Sequence, residues 1–135
     1  MHLVIYTDGA CRGNPGPSSI GASLENEHGE EIAVVSSFIG HGTNNRAEYM
    51  AAIAGVKKAS ELGAKEIELR MDSLLVVRQV EGRWKIKHPG LRNLNRELKE
   101  IIQTFKKWSV THVPREKNQR ADALANMAFD HVVDV

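Results

Sequence analysis

Four acids in this chain, Asp8, Glu48, Asp72 and Asp122, stand where folding could gather them around a cation. Asp8 closes a short apolar run just before Gly9, and Asp72 closes an alternating run. Glu48 and Asp122 each fall in the first turn of a helical stretch. Carboxylates are hard oxygen donors, which Mg²⁺ accepts more readily than the nitrogen of His or the sulfur of Cys. Each acid also has a plainer use. Asp8-Gly9 is an ordinary turn dipeptide, and Glu48 stands three residues after Asn45, as in a capping box. Asp122 suits the positive end of a helix dipole, and Asp72-Ser73 can cap a helix. Taken alone, the acids only suggest metal chemistry, and what decides is whether the chain brings them together.

The elements that would position them follow from hydrophobic period and turn signals. Leu3 to Tyr6 reads as a buried strand closed by Thr7-Asp8-Gly9, with a loop at Gly13 to Pro17. Ile20 to Leu24 and Glu31 to Ile39 read as strands around a turn at Glu27-His28-Gly29, which suggests an antiparallel meander. After a loop at Gly40 to Asn45, Arg46 to Leu62 is predicted helical, with Ala47, Met50, Ala51 and Ala54 on one face and Gly63 as its stop. Lys65 to Asp72 alternates, Ile67, Leu69 and Met71 against Glu68, Arg70 and Asp72. A helix between strands at this spacing predicts a crossover to a parallel strand, and were it to lie beside the first strand, Asp8 and Asp72 would be neighbours. Ser73 to Val80 predicts a short helix, Glu81 to Pro89 an irregular stretch, and Leu91 to Lys107 a helix burying Leu94, Leu98, Ile101, Ile102 and Phe105. Ser109 to Val113 is a last strand, and Asn118 would cap a final helix through Ala128. The order is that of an α/β layer structure, a five-stranded mixed sheet flanked by helices.

The bulk composition narrows the field. A chain of 135 residues with 41% hydrophobic and 26% charged residues fits one globular domain, residues 1–135. Its apolar runs are too short to span a bilayer, and one cysteine, Cys11, forms no internal disulfide, so an intracellular, cytoplasmic protein is expected. Lys and Arg number 18 against 17 Asp and Glu. A surface for an anionic polymer would therefore be local, and Arg83 to Arg96 is its candidate, with Arg83, Lys85, Lys87, Arg92, Arg96 and Trp84. The same stretch is compatible with a plain solvated helix face and loop.

Four motifs add company to the acids: TDGxxxxNPG from Thr7, TNNxxE from Thr43, Asp72-Ser73, and NxxAD from Asn118. Together, in this order and spacing, they resemble type 1 ribonuclease H over essentially the whole chain. The resemblance implies a ribonuclease H-like fold and cleavage of the RNA strand of RNA/DNA hybrids by two Mg²⁺ ions about 4 Å apart, Mn²⁺ substituting. It implies that Asp8 bridges the ions, with Asp72 and Glu48 completing one site and Asp122 the other. It also implies that the Gly9 to Cys11 backbone with Asn14, Asn44 and Asn45 reads the RNA 2′ hydroxyl, and that Thr43 and Ser73 meet phosphates. Turn chemistry would suit the asparagines equally well.

The chain departs from that family at three places. Many members carry a catalytic His in a longer loop before the last acid. Here the loop is Val113 to Asn118, so Arg115 is the expected assistant and His112, inside the strand, the alternative. The stretch Glu81 to Leu91 lacks the Lys-rich insertion of longer relatives, leaving Trp84 either to stack on a sugar or to pack in the core. Leu74 stands where many members have a polar residue. A monomer is expected. Cleavage of RNA duplexes and a non-catalytic binding module are the alternative readings.

Overall fold

The computed structural model describes residues 1–130, so 131–135 lie outside the described residues. Its strands are β1 (His2–Cys11), β2 (Gly16–Glu25), β3 (Glu31–Gly42), β4 (Glu66–Met71) and β5 (Lys107–His112). The helices are α1 (Asn44–Glu61), α2 (Leu74–Val80), α3 (Pro89–Ile102) and α4 (Gln119–Asp130), with one 3₁₀ turn at Arg115–Lys117. The sheet order is β3-β2-β1-β4-β5. The first three strands form the expected antiparallel meander, and β4 lies parallel to both β1 and β5.

Helices cover both faces of the sheet at β1 and β2. On one face Leu3 and Ile5 of β1, Ala22 and Leu24 of β2, and Ile67, Leu69 and Met71 of β4 pack with Tyr49, Ile53 and Val56 of α1. Val76 and Val77 of α2 and Leu98 and Ile102 of α3 complete this core. The other face of β2 presents Ser19, Gly21 and Ser23, small residues that let α4 come close. The Ser19 hydroxyl donates to the Ala125 carbonyl, and Ser36 of β3 donates to that of Leu124 at 2.6 Å. Because both faces are covered, nearly every residue of β2 is buried, which is why it reads as continuous rather than alternating. The opposite edge, β5, is largely exposed.

Several boundaries differ from the sequence expectation, each for a physical reason. β1 does not stop at Tyr6. Asp8 to Cys11 continue the antiparallel ladder against Gly21 to Ser18, so Asp8 sits within β1, one residue past the end of its pairing with β4. Pairing of Gly16 with Gly42 starts β2 at Gly16 and carries β3 to Gly42, which shortens both predicted loops. α1 is capped by Thr43, whose hydroxyl accepts from the Arg46 amide at 3.3 Å, and so begins before Asn45. Packed between the sheet and α3, α1 buries Ala47 and Ala51 but leaves Met50 and Ala54 only half-buried. α3 starts at Pro89, a favoured first helical residue, and ends at Ile102, leaving Phe105 buried in the turn beyond it. Trp84 is 44% exposed and is not part of the core.

Gly21 shows how closely α4 must approach. A Cβ there would lie 2.3 Å from the Ala121 carbonyl oxygen and 2.4 Å from the Ala125 nitrogen, both backbone atoms. Gly21→Ala is expected to destabilise the protein by about 3 kcal/mol or more, at the upper end of overpacking. Chemical denaturation checks this, and a loss below about 1 kcal/mol would mean that α4 can move away without penalty.

Candidate active site

The acids meet where β1 and β4 part. Asp8 of β1, Glu48 in the first turns of α1, and Asp72 directly after β4 each offer a carboxylate oxygen, all within 4.8 Å of one another. Asp8 and Glu48 are buried, while Asp72 is half-buried. Asp122 of α4 is exposed and borders the same pocket, with Gly9, Ala10, Cys11, Asn44, Ser73, Arg115 and Asn126.

Local packing explains each placement. Gly9 has no side chain because α1 starts against it. A Cβ at Gly9 would fall 2.4 Å from the Ala47 carbonyl carbon and 2.5 Å from the Glu48 nitrogen. This contact carries Glu48 over the end of β1, where its Oε1 accepts from the Gly9 amide at 2.7 Å. Glu48 therefore does not close a capping box with Asn45. Ser73 caps α2 through the Val76 amide at 3.3 Å, which leaves the neighbouring Asp72 carboxylate for the pocket. Asn118 precedes α4, yet its side chain does not cap that helix. It donates to the Thr7 carbonyl at 2.9 Å and to Asp72 Oδ2 at 3.1 Å.

The electrostatics are those of crowded anions. Burial, then the charge of Glu48 and a hydrogen bond with it, then the nearby Asp72 and Asp122, push the Asp8 carboxyl up to about 10. Glu48 is raised to about 7, chiefly by burial, while hydrogen bonds from Asp8 and Gly9 and the charge of Arg115 pull the other way. Asp8 and Glu48 thus share a proton at neutral pH when no cation stands between them. All the charged donors are oxygens, and Asp72 and Asp122 open the cluster to solvent. Such a set fits a hard divalent cation and does not suit a metal that prefers sulfur or imidazole.

The remaining predicted residues divide between two places. Gly9, Cys11, Asn44, Ser73 and Arg115 line the acid pocket. Asn14, Thr43 and Asn45 line an adjoining groove with Gly42, Arg46 and His88. The two are joined by a hydrogen bond from the Asn44 amide to Asn14 Oδ1 at 3.0 Å. His112 is exposed, the last residue of β5, and lines neither.

The family described as reverse transcriptase-like matches residues 6–128. The ribonuclease HI of Halobacterium salinarum is 48% identical over 125 residues, 93% of this chain. The chain belongs to the ribonuclease HI family. The match spans 63% of that Halobacterium protein's own length, and 36% of that of mycobacterial relatives at 45% identity. Solved family structures agree in fold. The RNase H1 of Halobacterium salinarum superposes with a TM-score of 0.96 at 45% identity, covering 98% of this chain and 100% of the other. LC11-RNase H1, solved in complex with an RNA/DNA hybrid, gives 0.89 at 42% identity, covering 95% and 96%.

Asn126 is the pocket residue that the sequence expectations did not name. Its amide donates to the Asp122 carbonyl at 2.9 Å and to Asp122 Oδ1 at 3.3 Å. Its signal was the four-residue spacing from Asp122, which puts both on one helix face.

The raised carboxyl values give a signed pH prediction. Folded Asp8 keeps a proton that the unfolded chain releases above 3.8, so metal-free stability falls as pH rises from there towards about 10. Glu48 adds the same sign between 4.5 and about 7. Asp8→Asn is expected to raise the metal-free Tm by at least about 3 °C at about pH 8 and by little at about pH 4. Scanning calorimetry in chelator checks this, and a Tm gain equal at both pH values would contradict it.

Proposed function

We propose that the chain is an endoribonuclease that hydrolyses the RNA strand of RNA/DNA hybrids, giving 5′ phosphate and 3′ hydroxyl ends, with two Mg²⁺ ions that Mn²⁺ can replace. The observation that carries the proposal is the convergence of Asp8, Glu48 and Asp72 within 4.8 Å in a chain of this family. Support for the substrate comes from the hybrid bound to LC11-RNase H1, a relative of the same fold.

Asp8, Glu48, Asp72 and Asp122 would hold the cations. When bound, such ions supply a nucleophile at neutral pH and neutralise the departing 3′ oxygen. The protein residues have their own work. Glu48, fixed by the Gly9 amide, presents its carboxylate in one orientation, and Asp72 is fixed likewise by Asn118. Arg115 brings a guanidinium to the acid pocket, where it offsets carboxylate charge before substrate arrives and can hold a phosphate oxygen afterwards. It is the residue proposed to assist the reaction and product release. Asn44 lines the pocket and carries both donor and acceptor, the pair needed to read a 2′ hydroxyl. Gly9 and Cys11 share that wall, and Ser73 offers a hydroxyl beside Asp72. The adjoining groove extends the surface with the amides of Asn14 and Asn45, the Thr43 hydroxyl and Arg46, suited to the backbone of a duplex.

A single domain working as a cytoplasmic monomer completes the proposal. Among the described residues no helix is long and apolar enough to cross a membrane.

The test is cleavage of a hybrid labelled on its RNA strand, with the matched RNA duplex and DNA duplex alongside. Wild type should cut the hybrid, stop under chelation, and leave the DNA duplex intact. Asp8→Asn should keep its fold and lose at least about a hundredfold in rate. Arg115→Ala should lose about tenfold, and His112→Ala less than about twofold. Asp8→Asn activity near wild type would refute the proposal. Equal cutting of the RNA duplex would widen the substrate class, and a larger loss in His112→Ala than in Arg115→Ala would reassign the assisting role.

A further inference from the structure

The acid cluster leans on one uncharged side chain. Asn118 is 2% exposed, and both N–H bonds of its amide point at the cluster's supports. One donates to the Thr7 carbonyl at 2.9 Å, the other to Asp72 Oδ2 at 3.1 Å. Thr7 and Met71 are the last residues paired between β1 and β4. Beyond them β4 turns away through Asp72 into Ser73 and α2, so β1 loses its parallel neighbour one residue before Asp8. The Asn118 amide bridges that gap. Its own backbone carbonyl accepts from the Asp122 amide at 3.1 Å. One residue therefore touches the peptide leading into Asp8, the carboxylate of Asp72 and the backbone of Asp122.

The orientation of the amide is fixed by its surroundings. Turned over, it would set Oδ1 against the Thr7 carbonyl and the Asp72 carboxylate, which are both acceptors. In the orientation adopted, Oδ1 is buried and has no partner among the described residues. A buried acceptor left unpaired costs stability. A residue selected for the fold alone would gain by satisfying that oxygen or by being apolar. What Asn118 offers in return is a fixed distance between the two strand-borne acids, with one Asp72 oxygen engaged and the other not.

We propose that Asn118 is a positioning residue for divalent cation binding: it holds Asp72 and the backbone before Asp8 in register, so that the cluster binds a cation without first having to be ordered. It touches neither the reacting phosphate nor the cation. This rests on the proposed function only in taking the acids as cation ligands.

The test is titration of wild type, Asn118→Ala and Asn118→Ser with Mg²⁺ and with Mn²⁺, followed by calorimetry and by the shift in Tm. The hybrid KM is measured separately at saturating metal. Both variants are expected to fold and to bind either cation about tenfold more weakly or worse, with a smaller metal-induced Tm rise. The hybrid KM should stay within about twofold of wild type, since Asn118 lies behind the acids. Should Asn118→Ala not fold, Asn118→Ser carries the same readout, and failure of both to fold would overturn the proposal, because a positioning residue leaves the fold standing. A lowered Tm with unchanged cation affinity would overturn it too and leave Asn118 a structural bridge. Wild type that binds neither cation would sink the proposed function as well, whereas wild type and variants binding alike would sink this inference alone.

Discussion

Carboxylates crowded into a partly buried space repel one another, and nearly everything near the site serves to hold them there regardless. Asp8 and Glu48 are both buried and lie within 4.8 Å of each other and of Asp72. Without a cation the cluster relieves itself by keeping a proton, which is why the Asp8 carboxyl sits near 10. A cluster of this kind lowers the stability of the metal-free fold. A divalent ion that bound the folded state and not the unfolded one would offset that cost. The family to which the chain belongs supplies the chemistry that such an ion would serve in the proposed reaction.

Two close approaches keep the repelling groups in place. α1 begins directly against the backbone of Gly9, delivering Glu48 to Asp8. α4 lies against Gly21, the residue paired with Asp8 across the β1–β2 ladder, and carries Asp122 to the pocket rim. Neither contact leaves room for a methyl group. Precision at the site thus comes from backbone against backbone, which is stiffer than any side-chain contact. The residues that tune the site hang from this frame: Asn118 behind Asp72, Asn126 beside Asp122, and Ser73 beneath the start of α2.

Much of the frame was legible in the sequence, where one-sided burial writes a pattern. β4 alternates because one face meets the core and the other does not, so Ile67, Leu69 and Met71 announced it. Motif spacing gave the four acids, since those spacings are set by the elements that carry them. The misread parts depend on contacts far apart in sequence. Asp8 to Cys11 look like a turn locally, and only pairing with Ser18 to Gly21 makes them strand. Glu48 looked like a capping partner because its true donor, the Gly9 amide, lies 39 residues away. Asn118 looked like a helix cap, yet its amide reaches Thr7, 111 residues earlier. The division of the asparagines between acid pocket and adjoining groove could not be read at all, because it is decided by how the β1–β2 loop folds back on α1.

The carboxylates are proposed to form a cation site. Anomalous scattering from crystals soaked in Mn²⁺ tests it most directly, because the ion reports its own position. A strong anomalous peak bounded by Asp8, Glu48 and Asp72 is expected, absent from Asp8→Asn crystals soaked in the same way. A map with no peak among those side chains, at Mn²⁺ levels that support activity, would contradict it.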